Sequence, residues 1–202
     1  MDEALMQRPL AELPWAAIDF ESAGAAPGET DCPVQVGVVR AEGLFDPAPS
    51  LFVSYIAPLH PVRWSAARVH GITSSMLAEA PAFSALWPQL REMLGGAVVL
   101  GHNPATEARF LHAFPGHGFG PWLDTLELAR KALPQLRDHA LGSVCGALGC
   151  TPQVQALVPE RSWHDALFDA AASLCLLRSL VQGLGMQHAS LPHLPFAVRS
   201  TM

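Results

Sequence analysis

The stretch Ala16-Ala17-Ile18-Asp19-Phe20-Glu21 is a short apolar run that leads into two carboxylates separated by one aromatic residue. Successive side chains of a β-strand point to opposite faces, so we expect Asp19 and Glu21 to share one face and Phe20 to point into the core. Two adjacent carboxylates repel each other, and a fold tolerates them mainly where a cation lies between them. An exposed strand end with two solvated acids is the alternative, and this stretch alone leaves both interpretations open.

Three further strands are predicted around this one. After a turn-rich segment at residues 23–28, two strands are expected at residues 34–39 and 51–57, joined by a connection at residues 43–49. The first three strands therefore resemble an antiparallel meander. The fourth strand is a buried apolar run at residues 97–101.

Helices are predicted mainly in the second half of the chain. Capping signals and apolar spacing place them at residues 73–77 with Thr73 as N-cap, at 81–94, from an Asn103 N-cap and Pro104 to Phe114, at 124–133, at 140–148, and from about 162 to 181. Segments 58–69 and 151–161 are expected to be irregular, as is the tail after residue 183, which is expected on the surface. The glycine-rich segment 116–120 is interpreted as a flexible connector, because it does not lie between a strand and a helix as a phosphate loop does.

Glu107 stands on an apolar helix face in this scheme. Phe110, Leu111 and Phe114 follow it at helical spacing, so the acid is expected to point inward. Burying an unpaired charge is costly, and Glu107 therefore needs a partner or a metal ion. A position on the flank of the helix, paired with an arginine, is the alternative.

The last predicted helix supplies two more candidates, His164 and Asp169. Five residues correspond to about 140° around a helix, so the two side chains converge only if His164 precedes the helix or lies in a frayed first turn. The Ser162-x-x-Asp165 capping pattern instead favours His164 within the first turn. The sequence leaves this point open.

These candidates come from three distant segments that each adjoin a predicted strand or helix. Four carboxylates and one histidine form an oxygen-rich set, which suits magnesium or manganese rather than zinc. The order of elements, with three strands, helices, a strand and more helices, predicts an α/β or α+β sheet covered by helices.

Composition limits the class of protein. The chain has 202 residues, half of them apolar and 15% charged, which predicts one globular domain over residues 1–202 with a core at about 15–182 and an irregular tail at 183–202. No apolar run is judged long enough for a membrane span and no secretory signal is visible, so a cytoplasmic location is expected. The four cysteines lack paired spacing and are expected to be reduced and mostly buried. A net charge of −6 argues against broad electrostatic binding of nucleic acid, but not against an enzyme whose metal ions contact one or two phosphates.

Five segments, in this order along the chain, carry a resemblance to a known family. They are Asp19-Phe20-Glu21-Ser22; His70-Gly71-Ile72-Thr73 with Met76-Leu77 and residues 80–83; Gly101-His102-Asn103-Pro104-Ala105-Thr106-Glu107 with Phe110-Leu111; Trp122-Leu123-Asp124-Thr125 with residues 128–130; and His164-Asp165-Ala166-Leu167-Phe168-Asp169-Ala170. From about residue 15 to residue 182 the chain resembles the DEDDh, proofreading-type 3′–5′ exonucleases. That family includes the epsilon subunit of bacterial DNA polymerase III, ribonuclease T and oligoribonuclease.

The resemblance implies a ribonuclease-H-like fold, in which a mixed sheet of an antiparallel meander plus parallel strands is flanked by helices. It implies an exonuclease that releases nucleoside 5′-monophosphates, with single-stranded or 3′-ended nucleic acid as its partner. Two divalent ions, Mg²⁺ or Mn²⁺, would be held by Asp19, Glu21, Glu107 and Asp169. His164 would be the general base. The implied substrate contacts are Phe20, Ser22, His70, Ile72 and Asn103, although a lone histidine such as His70 is often structural. A polymerase or other protein partner is an open expectation.

One departure from the family pattern bears on activity. The family usually has Phe-Asp where this chain has Thr106-Glu107, and the longer side chain of Glu107 keeps the charge but reaches one methylene further. Ser22 in place of threonine is a milder change. A degenerate member that binds nucleic acid or a protein without cutting is therefore the alternative function. DNA and RNA substrates are not separated by the sequence, because recognition of the 2′-hydroxyl depends on local geometry.

Overall fold

The computed structural model describes residues 3–194 and 198–199. The strands are β1 (Trp15–Ser22), β2 (Pro33–Ala41), β3 (Ser50–Tyr55), β4 (Val98–Gly101), β5 (Trp122–Asp124) and β6 (Val198–Arg199). The helices are α1 (Glu3–Gln7), α2 (Trp64–His70), α3 (Trp87–Leu94), α4 (Ala105–Leu111), α5 (Thr125–Ala132), α6 (Leu141–Leu148), α7 (Thr151–Leu157) and α8 (Ala166–Gly183). Short 3₁₀ helices cover Leu10–Glu12, Phe83–Leu86 and Leu191–His193.

The strands form one mixed sheet in the order β3-β2-β1-β4-β5-β6. The pairs β1–β2 and β2–β3 are antiparallel, whereas β1–β4 and β4–β5 are parallel. This is the predicted meander continued by parallel strands, and the mixed sheet flanked by helices that the ribonuclease-H-like fold class implies is confirmed. Because β1, β4 and β5 are parallel, their carboxyl ends meet at one edge of the sheet.

Strand β1 separates two hydrophobic cores, and its alternation decides where the acids point. Trp15 and Ala17 belong to the core under α8, whereas Ile18 and Phe20 belong to the core under α3 and α4. Side chains two residues apart share a face. The carboxylates that follow Ala17 on the same face, Asp19 and Glu21, therefore point towards α8.

Helix α8 is apolar on nearly all sides because it crosses the main core. Its 18 residues have a mean hydropathy of 1.2, so by length and composition it reaches the range of a membrane span, contrary to the expectation from the sequence. However, 72% of it is buried within the fold, as in the core helix of a globular protein. The predicted apolar stripe from Leu167 to Val181 is confirmed as its buried surface.

The close approach of α8 to β2 depends on the absence of a side chain at Gly37. A Cβ atom added there would lie 2.2 Å from the Leu167 nitrogen and 2.4 Å from the Ala166 oxygen, both of them backbone atoms. We therefore expect Gly37→Ala to lower the free energy of unfolding by at least about 1–3 kcal/mol, because α8 must move away from the sheet. Urea denaturation followed by circular dichroism measures this change.

Gly146→Ala is the matched control for this substitution. Gly146 lies inside α6, and a Cβ atom there would meet nothing within 4 Å. Alanine is the better helix former by about 0.5–1 kcal/mol, so this variant should be as stable as the wild type or slightly more stable. Equal unfolding free energies for the two variants would contradict the close packing of α8 on β2.

Several elements differ from the sequence predictions. Helix α2 lies in the segment 58–69 that was expected to be irregular, and none of its side chains is buried, so it carries no apolar periodicity. Helix α7 lies in the predicted loop 151–161, and Val154 is its one buried residue, so it too lacks an apolar stripe. Thr73 begins successive turns and not a helix. The predicted helix 81–94 starts as a 3₁₀ turn and becomes α3 at Trp87.

The predicted surface tail is partly buried. Leu191 and Leu194 belong to the core under α8, and the Ala189 oxygen accepts a hydrogen bond from the Leu10 nitrogen at 2.7 Å. Strand β6 extends the sheet beyond β5. The rest of the tail, at residues 195–197 and 200–202, lies outside the described residues. All four cysteines are free and buried, as predicted.

Candidate active site

Asp19 lies at the centre of a cluster of acids at the carboxyl end of β1. Burial, and then the neighbouring carboxylates, raise the pKa of Asp19 well above its ordinary value of 3.8. These neighbours, in decreasing order of effect, are Glu107, Asp169, Glu21 and Asp165. The three other acids predicted to bind metal are therefore all close enough to act on Asp19 by charge.

Glu107 enters this cluster from α4. Its side chain is 6% exposed and shares the inner face of the helix with Phe110 and Leu111, as predicted. Burial raises its pKa above 4.5, and the backbone amides of Glu107 and Phe20 partly oppose that rise by stabilising the charged form. No arginine in the described part of the chain forms an ion pair with it, so the flank position paired with an arginine is not what the structure shows.

The turn before α4 differs from the prediction by one residue. Asn103 adopts a left-handed conformation with φ of 66°, and Pro104 takes the N-cap position that was expected of Asn103. The Asn103 nitrogen donates a hydrogen bond of 3.1 Å to Asp124 Oδ1 at the end of β5. This contact fixes the turn after β4 against the neighbouring parallel strand, and it holds α4 in its direction.

His164 precedes α8, which answers the question that the sequence left open. Asp165 is the N-cap, since its Oδ1 accepts hydrogen bonds from the Leu167 and Phe168 nitrogens, and His164 lies just before it with φ of 66°. The helix is therefore capped by Asp165, three residues after the Ser162 that the capping pattern suggested. In this position the backbone amide nitrogen of His164 donates a 3.3 Å hydrogen bond to Asp169 Oδ2.

The structure brings His164 together with acids from two elements. One potential ligand atom from each of Glu21, His164 and Asp169 lies within 4.8 Å of the others. His164 is exposed, whereas Glu21 and Asp169 are half-buried, so the imidazole borders the acids on their solvent side. A cleft of about 380 Å³ opens beside His164, and it is lined by His70, Glu160, Arg161, Ser162, Trp163, His164 and Asp165.

The electrostatics of the cluster fit a bound cation. Burial and nearby carboxylates raise the pKa of Glu21 to about 8, and burial raises the pKa of Asp169 to about 6. Asp169 Oδ1 is buried and has no hydrogen-bond partner. Buried carboxylates without a cationic partner are unfavourable, and carboxylate oxygens are the ligands that Mg²⁺ and Mn²⁺ prefer. The residues present therefore suit divalent ions.

The five predicted substrate contacts lie in different surroundings. Phe20 and Ile72 are 6% and 3% exposed, so little of either residue is accessible to a ligand. His70 joins α2 to the end of β1, with Nε2 3.1 Å from the Ser22 oxygen and Nδ1 accepting from the Ile72 nitrogen. Both hydrogen bonds are structural, and they leave the His70 ring at the edge of the cleft. Asn103 is exposed.

Sequence reasoning missed three polar residues that shape the site. Asp165 adds negative charge near Asp19 and Glu21. Asp124 was predicted only as a helix start, yet it also holds the Asn103 turn. Gln35 is 2% exposed and reaches the start of α8. No local sequence pattern marks Gln35, because its role follows from strand register.

This mixed sheet, with four acids and a histidine gathered near the carboxyl end of its first strand, has the fold of solved exonuclease structures. Exonuclease X, in complex with 5′ overhanging duplex DNA, superposes with a TM-score of 0.70 at 21% identity, covering 89% of this chain and 98% of that one. The nuclease domain of 3′hExo, a DEDDh family member bound to rAMP, gives a TM-score of 0.68 at 15% identity, covering 94% and 97%. At these identities the two structures establish the fold.

The sequence comparisons establish the family. A family model described as Exonuclease matches residues 16–177, and the chain therefore belongs to this exonuclease family. It is 31% identical over 176 residues to a DNA polymerase III subunit epsilon-like protein of Rhodobacter capsulatus, covering 85% of this chain and 24% of that protein. It is also 31% identical over 170 residues to the DNA polymerase III subunit epsilon of Pasteurella multocida, covering 76% and 62%. The chain thus spans less than two thirds of either relative.

Proposed function

We propose that the chain is a metal-dependent 3′–5′ exonuclease that releases nucleoside 5′-monophosphates from the 3′ end of nucleic acid. The observation that carries the proposal is the meeting of Asp19, Glu21, Glu107 and Asp169 in one partly buried cluster, with His164 at its open side. Family membership supports the reaction class.

In this proposal the four acids hold two divalent ions, Mg²⁺ or Mn²⁺. When bound, the ions supply positive charge for the oxygens of the reacting phosphodiester. The chain itself positions the ligands: β1 fixes Asp19 and Glu21 on one face, α4 brings Glu107, and the first turn of α8 brings Asp169. The longer side chain of Glu107 is compatible with this arrangement, because it still acts on Asp19 by charge.

His164 acts as the general base in the proposed reaction. It takes a proton from the attacking water, the water oxygen forms a bond to phosphorus, and the bond from phosphorus to the 3′ oxygen of the preceding nucleotide breaks. The exposed imidazole next to the acids suits this role, because water and substrate reach it from the solvent side. That 3′ oxygen leaves with a proton, so that the product is a 5′-monophosphate.

The substrate is proposed to be single-stranded or 3′-ended nucleic acid. The solved relatives include one in complex with DNA and one bound to rAMP, so both backbones are candidates. A polymerase partner is proposed only by analogy with the named epsilon subunits. The cytoplasmic location and the assignment of all 202 residues to one domain stay predictions.

Digestion of 5′-labelled DNA and RNA oligonucleotides of matched sequence tests the proposal. With Mg²⁺ or Mn²⁺ we expect a ladder that shortens from the 3′ end and nucleoside 5′-monophosphates as products, and no cleavage with a chelator. The more rapidly digested backbone identifies the substrate class. Internal cleavage, or full activity with chelator, would contradict the proposed reaction.

A non-cutting family member is the second candidate, and Glu107 in place of the usual aspartate is the observation that favours it. Thermal denaturation separates the two. At 100 times its dissociation constant an ion raises stability by about 2.7 kcal/mol, so an exonuclease should melt at a higher temperature with Mn²⁺. A non-cutting member should show no melting shift with Mn²⁺ and no cleavage. The Glu107→Asp variant should restore neither property.

A further inference from the structure

Gln35 is a buried polar residue whose two side-chain hydrogen bonds go to Asp165 and Ala166, outside the proposed catalytic set. It lies on β2 directly opposite Glu21, and its side chain points to the same face of the sheet. Its Nε2 atom donates a 2.9 Å hydrogen bond to Asp165 Oδ2, and its Oε1 atom accepts a 3.0 Å hydrogen bond from the Ala166 nitrogen. The opposite amide orientation would place a donor against a donor and an acceptor against an acceptor, so the network defines the orientation.

The two residues to which Gln35 bonds, Asp165 and Ala166, come immediately after His164 in the chain. A left-handed conformation such as the φ of 66° at His164 costs about 1–2 kcal/mol for a residue other than glycine. It persists where the surrounding structure fixes it. Asp165 is fixed by four contacts, since its Oδ1 caps α8 while its Oδ2 accepts from Gln35 and Arg161. The backbone immediately after His164 is thus attached to the sheet through one glutamine side chain.

We propose that Gln35 is a positioning residue that holds His164 against the acids, a role that rests on the proposed function of His164 as general base. Only an amide of this length supplies a donor for Asp165 and an acceptor for Ala166 at once. Glutamate keeps the acceptor but places a carboxylate beside Asp165 Oδ2. Methionine keeps the length and the volume but removes both hydrogen bonds. The chemistry of the amide, and not its packing, sets the position of His164.

Steady-state kinetics on a short oligonucleotide test this role. We expect Gln35→Met and Gln35→Glu to lower kcat by about 10–100-fold, which is the usual effect of losing a hydrogen bond that orients a functional residue. The KM should stay within about threefold of wild type. Gln182→Met is the matched control, since Gln182 is exposed near the far end of α8, and it should leave both constants unchanged. A Gln35→Met variant with wild-type kcat, or one in which only KM changes, would overturn the proposal.

Amide hydrogen exchange gives a second measurement that does not need catalysis. In Gln35→Met the backbone amides of both Ala166 and His164 should exchange faster than in wild type. The Ala166 amide loses its hydrogen-bond acceptor, and the His164 amide is no longer held in place to donate to Asp169. The amide of Leu174 in the middle of α8 should keep its protection, which shows that the fold is intact. Unchanged exchange at His164 overturns the positioning role. If the wild type fails to hydrolyse any oligonucleotide, the proposed function fails, and the exchange experiment still decides whether Gln35 positions His164.

Discussion

Asp19→Asn is expected to abolish measurable hydrolysis and yet to stabilise the metal-free protein at alkaline pH. Asp19 is the acid on which all the other carboxylates of the cluster act. Removing one electrostatic contributor of this kind typically lowers kcat by at least about 10²-fold. Without ions this charge is unfavourable, because Asp19 is half-buried among other carboxylates.

The sign of the pH dependence follows from the raised pKa values. The folded state holds the proton of Asp19 more tightly than the unfolded state, whose pKa is near 3.8, and Glu21 has a folded-state pKa of about 8. The stability from these groups is therefore fully present below about pH 4 and is lost as the pH rises towards 8. The asparagine side chain of the variant does not ionise, so the variant should lose less stability over this range. At pH 8.5 the variant should therefore have a larger free energy of unfolding than wild type.

Urea denaturation from pH 4 to pH 9 in the presence of chelator measures this difference. Glu92→Gln is the control, because Glu92 is an exposed acid on α3 and its neutralisation should change neither activity nor the pH dependence. In saturating Mn²⁺ the order should reverse, since wild type binds the ion and gains stability while the variant gains less. Parallel pH curves for wild type and Asp19→Asn would contradict the electrostatic description of the cluster.

The sequence was informative where function and folding require the same local pattern. The alternation of β1 predicted that Asp19 and Glu21 share a face, because the apolar residues before them had to alternate between two cores. The apolar spacing of α4 likewise predicted that Glu107 points inward. In both cases the pattern of buried apolar neighbours along the sequence predicts which way the acidic side chain points.

The sequence was uninformative where position depends on contacts between distant segments. Gln35 acquires its role only from the pairing of β2 with β1 and the approach of α8 above Gly37, neither of which leaves a local pattern. Helix α2 was missed because it buries no side chain. His164 was ambiguous because two capping registers three residues apart were both acceptable, and the bond from Gln35 to Asp165 stabilises one of them.

His164→Ala is expected to lower kcat by about 10²–10⁴-fold, the usual contribution of a positioned general base. The structure leaves two roles for this residue, because its imidazole lies within 4.8 Å of the Glu21 and Asp169 oxygens and could bind a metal ion as well as a proton. The oxygen-rich surroundings favour the base, since Mg²⁺ and Mn²⁺ prefer carboxylates to imidazole. The variant should therefore keep the increase in melting temperature that Mn²⁺ gives wild type.

Comparison of kcat and the Mn²⁺-dependent melting shift in the same variant separates these roles. A base contributes to the rate and not to ion affinity, so kcat should fall while the shift stays within error of wild type. His188→Ala is the control, because His188 is exposed and lies beyond α8, and neither quantity should change. If His164→Ala loses the melting shift together with the activity, His164 is a metal ligand. If it retains wild-type kcat, the proton leaves the attacking water by another route, and the role assigned to the residue before α8 is wrong.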